Sequence, residues 1–426
     1  MAGLQNVSTK EQLQNFRLQL QNSLGEAYID RKTTNWLDAF QLLIRCLEKK
    51  NKAGRMVVFI DELPWLATAK SGFLSGLSFF WNSWASKKNI VVVICGSAAS
   101  WMIQKVVDDK GGLHNRITRR IDLQPFNLYE TECYFKSRNM LLDRYHIVQL
   151  YMALGGVPHY LKEVEAGKST AQNIDQILFR SSAILQNEFE RLYPALFEQA
   201  DKHIEVIRTL AKKRQGMTRQ EIISASTLTD GGGISRILEE LAVSGFISVY
   251  FPFGKKRKDS VYRLTDEFSL FYIQFMENRG NRGAGIWQEL SQTPAYKSWA
   301  GYTFESICIK HTSQIKKALG IAGVYTEASG YVGKREGEKG IQIDLVLDRK
   351  DQSINIFEIK FYHSPWAITK AEADELAYKK MQFKRLTSTP KQVFLTLIST
   401  FGIQPNSHSI GLIDNSLSMD CLFEPE

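Results

Sequence analysis

Cysteine is scarce in this sequence. Its five cysteines (Cys46, Cys95, Cys133, Cys308 and Cys421) are scattered, odd in number and never in a CxxC pair. That excludes a disulfide framework and a cysteine-held zinc ion, and fits a reducing compartment. No run of about 18 apolar residues exists, so no membrane-spanning helix is expected. Met1 to Leu20 is polar and amphipathic and lacks the apolar centre of a signal peptide. There is no internal repeat and no low-complexity tract. A cytoplasmic location, with no membrane partner, is expected.

What is present can build real cores. Hydrophobic residues make up 44% and aromatics 11% of the 426 residues. At about 150 residues per domain, that length allows for two to four domains. The net charge of +9 favours polyanions such as nucleic acid or nucleotides. A mildly basic protein with no polyanionic partner fits the charge equally well.

Ser8 and Glu11 form a capping-box pattern ahead of Leu13, Phe16 and Leu20 at helical spacing. A second helix is predicted from Thr34, with Trp36, Phe40, Leu43 and Leu47 on one face and a basic end. Met56 to Ile60 and Ile90 to Cys95 are short, apolar and β-branched, the pattern of parallel strands buried on both faces. A helix between them gives a βαβ rhythm. Arg120 to Leu123 is a third candidate strand.

The first strand ends in Asp61-Glu62. At such a tip an aspartate can hold the magnesium of a nucleotide, and the next carboxylate can orient or deprotonate the attacking water. Buried strands often end in acids, so order along the chain matters. Ser97 follows the second strand and can sense a γ-phosphate. Arg116 lies ahead of the third candidate strand and can reach phosphates in its own site or a neighbour's. A turn residue and a surface charge are the ordinary readings of these two. The segments VVFIDELPWL (57–66), VVICGSAASWM (92–102), LHNRITRRIDLQPF (113–126) and LGGVPHYL (154–161) resemble the archaeal-type ATPase family of the AAA/STAND division. The resemblance implies an ATP- and Mg²⁺-using P-loop ATPase, followed by a winged helix and a further C-terminal domain.

The family's Walker A loop, G-x-x-x-x-G-K-[ST], is missing from these residues. The one Gly-Lys-Ser, Gly167 to Ser169, has Lys162 where a glycine should stand and no buried strand before it. A phosphate cradle needs both. Met1 to Asn6 resembles the family's segment just after its second strand. The first strand, the P-loop and the first helix are therefore expected to be lost, with ATP binding crippled. A truncated frame or misplaced start accounts for this, and a pseudo-ATPase is the alternative.

Between His203 and Leu264, three predicted helices precede a hairpin, the order of a winged helix-turn-helix. The recognition helix would carry Arg236. The hairpin tip carries Lys255, Lys256, Arg257 and Lys258, which can contact DNA phosphate without reading sequence. Glu239 and Glu240 on the same helix suit a protein-docking or spacer module as well. Asn278 to Ala295 is Gly-rich and polar, and is expected to be a linker.

In the C-terminal part, Asp344 interrupts an apolar strand, and Glu358 and Lys360 share a face of the next by period-two geometry. Glu305 lies on a preceding helix. The set resembles the PD-(D/E)xK restriction-endonuclease-like fold, with no proline before Asp344. That resemblance implies Mg²⁺ held by Asp344 and Glu358 and supported by Glu305, with Lys360 assisting the attacking water. A plain Glu358–Lys360 ion pair is the alternative. Lys379 and Lys380 on the following helix can contact phosphate or simply face solvent.

The expected fold is α/β and multidomain. Residues 1–130 form an incomplete RecA-like/AAA parallel sheet and 131–200 a helical lid. Residues 201–277 form the winged helix, 278–298 a linker and 299–426 the restriction-endonuclease-like domain. DNA and further copies of the same chain are the partners these readings allow, and a metal-dependent nuclease or a non-catalytic DNA-binding effector is the alternative function.

Overall fold

The computed structural model describes all residues except 26–32, 51–53, 69, 256–258 and 280–282. The chain is a mixed α/β protein of two compact units, Met1–Asp122 and Leu123–Glu426. Among the described residues, no helix is long and apolar enough to cross a membrane.

In the first unit the helix Thr9–Leu24 starts at the predicted capping box, with Ser8 and Glu11 bonding reciprocally. It buries Leu13, Phe16 and Leu20. The helix Trp36–Lys50 contributes Trp36 and Phe40, and Phe73–Ser83 contributes Phe73 and Phe80. These rings pack edge to face and stacked, with Trp36 and Phe73 centroids 4.7 Å apart. Edge-to-face and offset ring pairs add stabilisation beyond their buried area. Strands β1 (Met56–Ile60) and β2 (Ile90–Ile94) pair in parallel, Met56 opposite Ile90 and Ile60 opposite Ile94. Ala2 makes a further parallel bridge to Asp61, on the other edge of β1.

Two expectations fail here. Both strands were read as covered on both faces, yet Val57, Phe59, Val91 and Val93 are exposed, Val57 at 64%. Only the face carrying Met56, Val58, Ile90, Val92 and Ile94 packs into the helical core. Arg120 to Leu123 forms no strand, and Ile121 and Leu123 lie open to solvent. A strand needs a neighbour for its backbone groups, and these residues find none.

The second unit begins with the helices Leu128–Ser137 and Arg144–Leu154. Gly155 and Gly156 then turn the chain. Gly155 has φ +64, and a Cβ on Gly156 would lie 1.8 Å from the Phe126 carbonyl oxygen. The Phe126 amide donates to the Gly156 carbonyl at 2.7 Å. Further on, Ala200–Ala211, Arg219–Ser224 and Gly232–Val243 are helices. They accompany a three-stranded antiparallel sheet ordered β3 (Met217–Thr218), β5 (Val261–Leu264), β4 (Ile247–Tyr250). The Asn278 to Ala295 stretch is not an extended linker. Ile286–Leu290 is helical with Trp287 buried, and Asp175 accepts the backbone N–H of Gly285 and of Trp287.

After the helix Pro294–Lys310 come β6 (Thr326–Gly333), β7 (Ile341–Arg349) and β8 (Ser353–Lys360), joined antiparallel. A small parallel pair, β9 (Trp366–Ala367) with β11 (Ile403–Gln404), lies outside the main sheet. The helix Lys370–Thr387 leads to β10 (Gln392–Ser399), parallel to β8, and β12 (Asn415–Ser418) closes the order β12-β10-β8-β7-β6. Between the β6–β7 pairings Ser329–Val346 and Tyr331–Ile343, β7 spends three residues where β6 spends two. This bulge reverses the facing of β7. Ile341 and Ile343 pack with Leu376 and Phe383 of the 370–387 helix, whereas Leu345 and Leu347 join the core that holds Phe304. Bulges re-aim side chains in this way, and Asp344 sits at the reversal.

Candidate functional site

Asp61 follows β1, and its Oδ1 accepts the Cys95 thiol at 2.6 Å and the Glu62 N–H at 3.0 Å. Burial and that bond to Asp61 push the Cys95 thiol up to about 11, so it stays protonated. Glu62 takes a left-handed backbone, φ 49, and swings its carboxylate to the other strand tip. There the Ser97 hydroxyl donates to Glu62 Oε2 at 3.0 Å. The turn is tight at Gly96, where a Cβ would lie 2.5 Å from Pro64 Cδ. Three of the four N-terminal candidates, Asp61, Glu62 and Ser97, thus meet at one end of the parallel pair. Arg116 does not join them. It is exposed, and among the described residues no hydrogen bond or ion pair links its side chain to the acids.

One acid tip of this kind suits magnesium only in part. Among the described residues, no group of three or more His, Cys, Asp or Glu could hold a metal ion. Mg²⁺ is commonly held by one or two carboxylates with substrate phosphates completing its shell. Asp61 Oδ2, left outside the Cys95 and Glu62 bonds, can serve as such a ligand.

The second cluster lines a cavity of about 570 Å³ in the Leu123–Glu426 unit, with Glu305, Asp344 and Lys360 in its walls. Burial, then the nearby Asp344 charge, push Glu305 up to about 8, so it carries a proton at neutral pH. Asp344 Oδ1 accepts from Gln342 at 2.7 Å. Glu358 is held differently. Lys360 sits 2.7 Å from one of its oxygens and Lys379 2.6 Å from the other. Burial alone would raise the Glu358 carboxyl, but the two ammonium groups outweigh it and hold it below its ordinary range. Burial opposes the charge on Lys360, and Glu358 restores it and raises its pKa. Glu358 is therefore already paired on both oxygens and is not a free metal ligand. A protonated Glu305 is a poor ligand for a hard cation, so Asp344 is the carboxylate of this lining left to hold one.

Of the DNA-contact candidates, Arg236 and Lys255 are described. Arg236 bonds Glu240 at 2.8 Å, and Glu240 also takes His203 at 2.8 Å. Lys255 is exposed, and Lys256, Arg257 and Lys258 lie outside the described residues. Lys379 and Lys380 are both spoken for, by Glu358 and by Asp414. The sequence reading missed Arg214, Arg263 and Lys297, which line the same cavity. A lone arginine in the apolar Val-Tyr-Arg-Leu strand was the available signal for Arg263.

Residues 2–164 match the family model described as an ATPase domain predominantly from Archaea. An uncharacterized protein of Methanocaldococcus jannaschii is 21% identical over 309 residues, which span 72% of this chain and 67% of that protein. Among solved structures, a Walker-type ATPase of Pyrococcus abyssi aligns over 62% of this chain and 76% of its own at 15% identity, with a TM-score of 0.39. The family match covers the strand ending in Asp61-Glu62 and supports the P-loop ATPase resemblance of that segment.

Proposed function

We propose that this chain is an AAA-type member of the ATPase family that carries the acidic half of a nucleotide site, with a DNA-linked regulatory role set by its C-terminal half. The observation that supports this best is the bond from Ser97 to Glu62 beside Asp61, at the tips of two parallel strands within the matched segment. Magnesium, when bound with a triphosphate, would neutralise the charge that develops on the phosphates. Asp61 would hold it through the oxygen that Cys95 leaves free. Glu62, fixed by Ser97, would orient the attacking water. No G-x-x-x-x-G-K-[ST] occurs in the 426 residues, so these residues alone offer no phosphate cradle. Titration calorimetry with Mg-ATP tests this. Affinity in roughly the millimolar range, lost in Asp61→Asn, is expected. Micromolar binding indifferent to Asp61→Asn would overturn the proposal.

The three helices and antiparallel sheet of residues 200–264 are read here as a winged helix, and residues 299–426 as a restriction-endonuclease-like domain. A second reading, a metal-dependent DNA nuclease, is favoured by one observation. The β7 bulge brings Asp344 to the cavity wall shared by Glu305 and Lys360. Asp344 would hold the cation, Glu305 would support its bound waters, and Lys360 would stabilise charge in the transition state. Nicking of supercoiled DNA with Mg²⁺ or Mn²⁺, abolished in Asp344→Ala and in Lys360→Ala, is the expected result. Absence of metal-dependent nicking in the unaltered chain rejects it.

A further inference from the structure

The cavity of about 570 Å³ has a second wall that neither reading uses. Arg263, on β5, is only 7% exposed. Its Nε donates to the Tyr302 hydroxyl at 2.9 Å, and its guanidinium lies 4.5 Å from the Tyr302 ring centroid. No carboxylate lies within ion-pair distance of it among the described residues. A buried guanidinium without an anion is costly. Its planar fork of donors matches the oxygens of a phosphate. Arg214 and Lys297 line the same cavity, and neither pairs with an acid among the described residues. Arg214 is instead held in place by the Ser298 hydroxyl and carbonyl. Asp344 and Glu305 are the acids of this lining, and Arg214, Arg263, Lys297 and Lys360 outnumber them. Positive charge is thus in excess. Tyr296, Tyr302 and Tyr362 also line the cavity and offer apolar and stacking surface.

We infer that this cavity binds a phosphate-bearing ligand of mononucleotide size, gripped by Arg263, Arg214 and Lys297. The volume falls within the range of small-molecule pockets, roughly 300–1,000 Å³. Three otherwise unpaired cations at one site suit a phosphate better than a singly charged carboxylate. The inference does not rest on the ATPase reading. It shares the cavity with the nuclease reading, which uses Asp344, Glu305 and Lys360, so its test uses Arg214, Arg263 and Lys297.

The test is titration calorimetry on the full chain in EDTA with five probes: inorganic phosphate, adenosine 5′-monophosphate, adenosine, and a short single strand with and without a 5′-phosphate. Saturable binding of the phosphorylated probes, and none of adenosine, is expected. Tighter binding of the free nucleotide identifies a free ligand, and tighter binding of the phosphorylated strand identifies a nucleic-acid end. The surface variants Arg214→Gln and Lys297→Gln should each weaken binding about tenfold, and Arg263→Lys should do so through loss of the planar fork. Lys87→Gln, at an exposed lysine of the other compact unit, should change nothing. The inference is overturned if no phosphorylated probe saturates at millimolar concentration, if adenosine binds as well as its monophosphate, or if Arg214→Gln and Lys297→Gln both leave the affinity unchanged.

Discussion

Lys379 reaches from its helix to Glu358 on β8 and closes a 2.6 Å ion pair on the oxygen that Lys360 does not take. One carboxylate thus ties the 370–387 helix to the central sheet. It also explains how a largely buried acid stays charged.

Removing one ammonium should therefore uncover a buried charge. Lys379→Ala is expected to cost about 3 kcal/mol, read from urea unfolding at pH 7. Glu358 has its carboxyl below the ordinary value of 4.5, so its stabilisation is present above that pH and fades as pH falls through the lowered value. In Lys379→Ala the acid-side loss should begin at higher pH than in the unaltered chain. Equal stability of the two proteins would show that the pair contributes nothing.

Glu305 should behave in the opposite sense. Its folded value of about 8 lies above the ordinary 4.5, so the folded chain holds a proton that the unfolded chain releases between those values. Stability contributed by this group is full below pH 4.5 and falls as pH rises through about 8. Glu305→Gln should flatten that slope and gain roughly 2 kcal/mol relative to the parent at pH 9. Unfolding curves at pH 6 and pH 9 for both proteins measure it, and parallel pH dependences would contradict it.

Gly156 leaves no space for a side chain against the Phe126 carbonyl. Gly156→Ala should cost about 3 kcal/mol through the forced shift and break the 2.7 Å bond from Phe126 N–H to Gly156 O. Thermal unfolding reads the loss. An unchanged midpoint would mean that the turn relaxes freely.

Local chemistry was legible in the sequence. Ser8 with Glu11 caps its helix as predicted, because a capping box needs only residues three apart. The strand end at Ile60, the second strand's end at Ile94 (one residue before the predicted Cys95) and the shared face of Glu358 and Lys360 follow from short periodicities. What escaped depends on partners distant in sequence. Arg120 to Leu123 has the composition of a strand, but composition does not supply a neighbouring strand. Lys379 reads as a solvated helix residue until the helix packs beside Glu358. The β7 bulge leaves no mark in Ile-Gln-Ile-Asp-Leu-Val-Leu, yet it turns Asp344 toward the cavity. Arg263 gives no sign of burial in the sequence, and only the packing of Tyr302 against it reveals a buried cation.

In the loop between β4 and β5, the Phe253 amide donates to the Gly330 carbonyl of β6 at 2.9 Å, and the Phe253 ring packs against Tyr331 and Phe383. The hairpin is thereby geared to the outer strand of the large sheet. A displacement of this loop at Phe253 would therefore be resisted by β6 and by the 370–387 helix that carries Phe383.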